Sequence, residues 1–330
     1  MNLPADMAER WGSLRYLRYK GNGEWASECP VCQDSNHSPG NGQPDRFHIH
    51  LPDAKGNARG ICRRCGHFEW LDEDKKKERD PFEILQQQEL QRRYAEREQR
   101  RMQAKIAELQ RQAYHRGYHD AMEQQHRKLW EDEGITVDLQ DWFSLGYTPD
   151  KPYYYAEELH HSPALTIPYF ATEQQVVNIQ YRLTEAVSGA GKYRFTHELT
   201  PPLYLTEPDK PLTGDTCLLV EGAKKAIILY AWLGERYDHV VAAPSKYLSD
   251  WMYDSLNEFE TVFILFDPDS FTDQKKGDDE NKATVWRTAK RLGSKARVVQ
   301  LPVKPDDFIV KYHQPANTLH RIIQQARRLT

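Results

Sequence analysis

The stretch TCLLVEGAKKAIILYAWLG at residues 216–234, continued by HVVAAPS at 239–245 and TVFILFDPD at 261–269, decides how this chain folds. Short apolar runs alternate with longer amphipathic ones. TCLLVEG reads as a strand, KKAIILYAWLG as a helix, HVVAAPS as a strand and KYLSDWMYDSLNEF (246–259) as a helix. TVFILFDPD is then a strand, NKATVWRTAKRLG (281–293) a helix and ARVVQLPV (296–303) a strand. Apolar strands separated by amphipathic helices imply a parallel sheet covered on both faces, an α/β fold.

Three of these strands end on acids. Glu221 follows the CLLV run and precedes Gly222 at a strand-to-helix turn; Asp267 and Asp269 follow VFILF; Asp306 and Asp307 follow VVQLPVK. Ligands of an open parallel sheet bind beyond the carboxyl ends of its strands, so these acids can converge. A single acid at a strand end is ordinarily a cap or a solvated turn. Three such ends in order repel one another unless a hard divalent cation neutralises them, and Mg²⁺ or Mn²⁺ suits carboxylates and phosphate oxygens. Such an ion stabilises charge on a transferring phosphoryl group.

Upstream, LTIPYF and VVNIQYRL, joined by ATEQQ, form a predicted hairpin within residues 165–183. Residues 72–112 are almost entirely Glu, Gln, Lys and Arg, with Met102, Ile106, Leu109 and Ala113 at helical spacing. Interspersed acids and bases predict a solvated linker helix rather than a DNA-binding one. Residues 1–71 are rich in Gly, Asn, Pro, His and Cys, a composition expected to need a staple because apolar burial alone would not hold it. Cys29-x-x-Cys32 and Cys62-x-x-Cys65 supply four thiolates for one structural zinc, with a 29-residue insertion between the pairs. Arg63 and Arg64 sit between two ligands, and Trp25, Phe47 and Trp70 offer stacking surfaces for single-stranded DNA. His37, His48, His50 and His67 read as surface or nucleic-acid contacts, and Cys217 as a small buried hydrophobe.

The 330 residues allow two or three domains. A net charge of −4, 28% charged residues and a mean hydropathy of −0.83 describe a polar protein that does not coat DNA by bulk attraction. No run reaches the ~20 apolar residues of a membrane span and the start lacks a signal-peptide core, so the expected location is cytoplasmic. SGAGKY (188–193) is not a phosphate loop: position 186 is alanine where glycine is required, and Tyr193 stands in place of Ser or Thr.

VEGAKKA, LFDPD and KPDDF, in that order, resemble the three motifs of the Toprim domain. LWEDEGITVDLQDWFSLGYTPD (129–150) is similar to the segment that opens the core of bacterial and phage-type DNA primases. IPYFATEQQVVNIQYRL with KYRFTHELTPPLYLTEP (167–208) resembles their basic subdomain, and KGNGEWASECPVC (20–32) the approach to their zinc knuckle. The resemblance implies a zinc-binding domain at 1–71, a charged helical linker at 72–112, a mixed α+β basic subdomain at 113–208, a Toprim catalytic domain at 209–312 and a C-terminal helix at 313–330. It implies synthesis of short primers from NTPs on a single-stranded DNA template, with a replicative helicase as a candidate partner although neither a fused helicase nor a helicase-binding tail is seen. Glu221, Asp267, Asp269 and Asp306 would be catalytic; Glu221, Asp267, Asp269, Asp306 and Asp307 would hold magnesium. Arg182, Lys192, Lys224, Lys225, Lys304, Arg63 and Arg64 would face nucleotide or template. The chain departs from the family in three places. Cys32 replaces the commoner histidine, SFTDQKKGDDEN (270–281) replaces a glycine-rich turn, and KPDDF lacks or displaces one acid of Lys-Asp-Pro-Asp, which favours Asp306 as the third ligand. A Toprim nuclease or a non-enzymatic zinc and nucleic-acid binder would use many of the same residues; a topoisomerase would need a strand-passage gate for which there is little room.

Overall fold

The structure, a computed structural model, describes residues 3–4, 7–8, 11–12, 14, 17–21, 23–31, 47–50, 58–62, 67–70, 81–197, 199–271 and 283–328. It divides into two compact units, one of Met1–Glu98 with Pro152–His161 and Val187–Ala190, the other of Gln99–Lys151, Ser162–Ala186 and Gly191–Thr330.

The first unit holds an antiparallel meander of β1 (Arg18–Gly21), β2 (Glu24–Ser27), β3 (Phe47–His50), β4 (Arg59–Cys62) and β5 (Phe68–Trp70). Gly21 and Gly23 both adopt positive φ in the β1–β2 turn, a conformation that costs glycine nothing. Met7, Trp11, Trp25, Phe47, Ile49 and Ala58 bury one face together with Cys29 and Cys62. The Phe47 ring lies where a Cβ on Gly60 would stand, 2.2 Å from its Cζ, so glycine is required there. This small core corrects two expectations. Three large aromatics, Trp11, Trp25 and Phe47, each remove substantial area from water there. Trp25 and Phe47 are 3% and 0% exposed, so neither offers a stacking surface. His48 is likewise buried, with its Nδ1 hydrogen-bonded to the Glu24 carboxylate, rather than displayed.

Helix α1 (Pro81–Gln112) is the expected charged helix, 32 residues long and thus about 48 Å. Glu89 with Arg92 and Arg93, and Lys105 with Glu108, form pairs at spacings of three and four residues. Only Leu109 of the apolar stripe is buried.

Helices α2 (Tyr114–Asp120), α3 (Gln124–Glu131) and α4 (Val137–Trp142) of the second unit precede in sequence a four-stranded antiparallel sheet. Its strands are β6 (Gly146–Tyr155), β7 (Glu158–Thr172), β8 (Gln175–Leu183) and β9 (Tyr193–Phe195). The predicted hairpin is β7–β8, with Leu165 opposite Arg182 and Ile167 opposite Gln180. A six-stranded sheet follows in the order β10-β12-β11-β13-β14-β15. Its parallel centre is β11 (Gly214–Glu221), β12 (His239–Ala243), β13 (Phe259–Leu265) and β14 (Ala296–Val298). The short edges β10 (Tyr204–Leu205) and β15 (Arg327–Arg328) are antiparallel, and β15 was not legible as a strand. The connecting helices are α5 (Ala223–Leu233), α6 (Asp250–Leu256), α7 (Thr284–Leu292), α8 (Pro305–Val310) and α9 (Ala316–Gln324).

Strand alternation sorts the core. Leu218, Val220, Phe263 and Leu265 join Ile227 and Leu229 of α5 and Ile309 of α8 on one face; Cys217, Leu219, Val262 and Ile264 join Met252 of α6 and Val285 of α7 on the other. Each such side chain stabilises the fold by roughly 1.5–3 kcal/mol. Cys217 is fully buried, as expected. Trp130, Leu145, Leu165 and Ile167 belong to the first of these cores, so residues 113–208 and 209–312 share one apolar interior.

Candidate active site

Helix α5, after β11, lies on one face of the six-stranded sheet and α7, after β13, on the other. A crevice therefore opens beyond the carboxyl ends of these two adjacent strands. Glu221 ends β11, and Gly222 turns the chain into α5 at φ +86°. Asp267 follows β13, and Asp269 lies in the turn Pro268–Phe271 just after it.

One carboxylate oxygen from each of Glu221, Asp267 and Asp269 lies within 4.8 Å of the others. The buried Ser270 hydroxyl donates to Glu221 Oε2 at 3.3 Å, and the Ser270 amide donates to the Asp267 carbonyl oxygen at 2.9 Å. Burial, then the negative charges of Asp267 and Asp269, push the Glu221 carboxyl above its ordinary value against the pull of Lys225. Asp267 is only 6% exposed, and its Oδ1 is buried without a hydrogen-bond partner. An orphaned carboxylate oxygen within an acidic trio suits a divalent cation, so the donor set fits magnesium or manganese.

Lysines balance these acids. Lys225, in the first turn of α5, donates to the Glu221 carbonyl oxygen at 3.0 Å and lies 3.1 Å from Asp267 Oδ2. Lys304 approaches the same Oδ2 at 3.7 Å. Lys224 pairs with Asp306 Oδ2 at 2.8 Å and with Glu133 Oε2 at 2.6 Å, and Glu133 Oε1 also receives Arg182. Burial raises the Asp306 carboxyl, but the Lys224 ammonium outweighs it and holds the group below its ordinary value. Asp307 pairs with Lys311 at 3.0 Å. Asp306 and Asp307 thus stand outside the trio, each on its own lysine. Lys192 is exposed and ion-paired to no acid among the described residues.

A cavity of about 600 Å³ joins the trio to Lys224, Lys225 and Lys304, and is lined also by Gln180 of β8 and Tyr193 of β9. Glu133, Gln180, Tyr193 and Ser270 join the site without belonging to any of the three acidic sequence motifs that mark it. Gln180 had a signal: it stands two residues before Arg182 and therefore on the same face of β8. Glu133 stands before Gly134, whose φ is +86° and whose absent Cβ would lie 2.4 Å from Val310 Cγ2, so the glycine allows that close approach.

Of the candidate zinc ligands and their arginines, Cys32, Arg63, Arg64 and Cys65 lie outside the described residues, as does His37. Cys29 and Cys62 are buried in one cluster. Ser27, at the end of β2, is opposite Phe47, which is opposite Cys62, so both cysteines stand at one end of the meander. The Cys62 amide donates to the His67 carbonyl oxygen at 2.7 Å.

No protein-family model and no curated protein sequence matches the chain. Solved structures do. A primase from Aquifex aeolicus comprising zinc-binding and RNA polymerase domains matches with a TM-score of 0.50 at 17% identity, over 99% of this chain and 87% of that one. A DnaG primase catalytic domain bound to ssDNA matches with a TM-score of 0.53 at 14% identity, over 69% of this chain and 83% of that one. The E. coli primase catalytic core matches with a TM-score of 0.50 at 15% identity, over 66% and 79%. The chain has the fold of the bacterial-type primases.

Proposed function

We infer that this chain is a DNA primase, a nucleotidyltransferase that joins NTPs into short primers on a single-stranded DNA template. The observation that carries the reading is the acidic trio opening into a lysine-lined cavity, within a primase fold. Residues 209–312 are the Toprim catalytic domain in this reading, 113–208 the basic subdomain, 72–112 the linker and 1–71 a zinc ribbon.

Glu221, Asp267 and Asp269 would hold magnesium or manganese, which when bound supplies charge stabilisation for phosphoryl transfer. The chain's own groups then bind and orient. Ser270 holds the Glu221 carboxylate toward Asp267, and Lys304 stands near the acids with its side chain more than half exposed, ready for phosphate oxygens. Arg182 and Lys192 would guide template or nucleotide, with Arg182 aimed by Glu133. Lys224 ties Asp306 to Glu133 and so fixes α5 to the residues before Gly134. Cys29, Cys32, Cys62 and Cys65 would hold one structural zinc; two buried cysteines at one sheet end suit that role.

The test is incubation with labelled NTPs, Mg²⁺ and circular single-stranded DNA. New short oligomers that disappear with Asp267→Asn are expected. Degraded template would make the chain a Toprim nuclease, and DNA retention without chemistry a binder.

A further inference from the structure

The acidic centre contains a cation of its own. Lys225 lies four residues after Glu221, so the first turn of α5 carries its ammonium back over the end of β11. There it contacts the Glu221 carbonyl oxygen at 3.0 Å and Asp267 Oδ2 at 3.1 Å. The pair is not solvated, since the two side chains are only 13% and 8% exposed. Asp267 is therefore divided: Oδ2 faces ammonium groups, and Oδ1 is buried without a partner. A carboxylate that bridges two metal ions through its two oxygens needs both of them open, and here Oδ2 already faces ammonium groups. Asp306 and Asp307 stand outside the trio, Asp306 Oδ2 on Lys224 and Asp307 on Lys311, although Asp306 Oδ1 is, like Asp267 Oδ1, buried without a hydrogen-bond partner.

We propose that Lys225 is a built-in counter-cation, so that Glu221, Asp267 and Asp269 take one divalent cation and the Lys225 ammonium stands where a second would bind. The proposal rests on the trio being a metal site, as the proposed function has it. It makes Lys225 a residue that sets metal affinity and stoichiometry rather than a contact to template. The ion's charge and the ammonium compete for Asp267. Replacing Lys225 by a neutral side chain of similar length should therefore tighten the ion by roughly tenfold or more, because repulsion inside a half-buried site is weakly screened.

The experiment is Mn²⁺ binding to the full chain with its cysteine site zinc-loaded, followed by electron paramagnetic resonance of the free aquo ion and by calorimetry, without nucleotide. Wild type should bind one Mn²⁺ that Asp267→Asn abolishes, and Lys225→Gln should bind it roughly tenfold or more tighter. Lys225→Arg, which keeps the charge, should stay close to wild type. Two Mn²⁺ per wild-type chain, both lost in Asp267→Asn, would overturn the proposal without any variant having to fold. Unchanged or weaker binding in a Lys225→Gln protein with native circular dichroism would overturn it as well. Wild type binding no Mn²⁺ that depends on Asp267 would remove the metal centre itself, and the functional reading with it. One Mn²⁺ with the Lys225 effect, but no primer synthesis, would leave this inference standing and the primase reading refuted.

Discussion

Glu133→Gln tests the ion network behind the acidic trio without touching the trio. The Glu133 carboxylate receives Arg182 on one oxygen and Lys224, at 2.6 Å, on the other; Lys224 in turn lies 2.8 Å from Asp306. Glutamine keeps the shape and removes the charge. A hydrogen bond to a charged group contributes about 1.5–3 kcal/mol. Two such bonds are weakened, but Lys224 retains Asp306 and the partly exposed Arg182 regains some hydration. The expected loss is therefore about 2–3 kcal/mol, or roughly 5–10 °C in Tm for a unit of this size. Urea denaturation followed by circular dichroism measures it. Acid supplies a second check. Burial raises the Glu133 carboxyl, yet Lys224 and Arg182 together hold it below its ordinary value. Its contribution is thus complete at neutral pH and is lost as pH falls through that lowered value, so wild type and variant should converge in acid below it. In combination with Lys224→Met the two losses should not add, since the residues share one interaction. A loss below about 0.5 kcal/mol at pH 7, or one that acid leaves unchanged, would refute the reasoning.

Asp267→Asn should abolish Mg²⁺-dependent synthesis while the metal-free protein melts at an equal or higher temperature, because the remaining carboxylates repel less; an earlier melt with primers still made would count against the metal site. Glu221→Gln should likewise stabilise the metal-free chain at neutral pH. The Glu221 carboxyl is raised by burial and by Asp267, so its share of stability is present in acid and lost as pH rises through the raised value; a Tm comparison at pH 4 and pH 8 checks the sign. Lys192→Ala should weaken primer synthesis at unchanged Tm, whereas Arg182→Ala should lower both, since it strips Glu133 of a partner. Elemental analysis should find one zinc per chain, and Cys29→Ser or Cys62→Ser should lose the metal and lower the cooperativity of the first unit's unfolding.

The acids were legible because topology fixes them: Glu221, Asp267 and Asp269 each follow an apolar run, and a parallel sheet carries every such end to one side. The partners of the basic residues were not, because charge pairing is non-local. Glu133 and Lys224 are 91 positions apart, and nothing in EDEG or VEGAKKA announces that they meet. Asp306 failed to join the trio for the same reason: α8 places it against Lys224, and either of two adjacent lysines could have been the one to reach it. Phe47 and Ile49 alternate with His48 and His50, a pattern that puts the apolar pair on one face, but their cover comes from Met7 and Trp11, more than 30 positions earlier. The consequence for the site is specific. Lys224 and Lys225 are held in buried pairs and could reach a phosphate only by breaking them, which leaves an acid uncompensated. Lys304 is 56% exposed and 3.7 Å from its acid, so it is the cation of the three that an incoming phosphate could recruit while every buried pair stays intact.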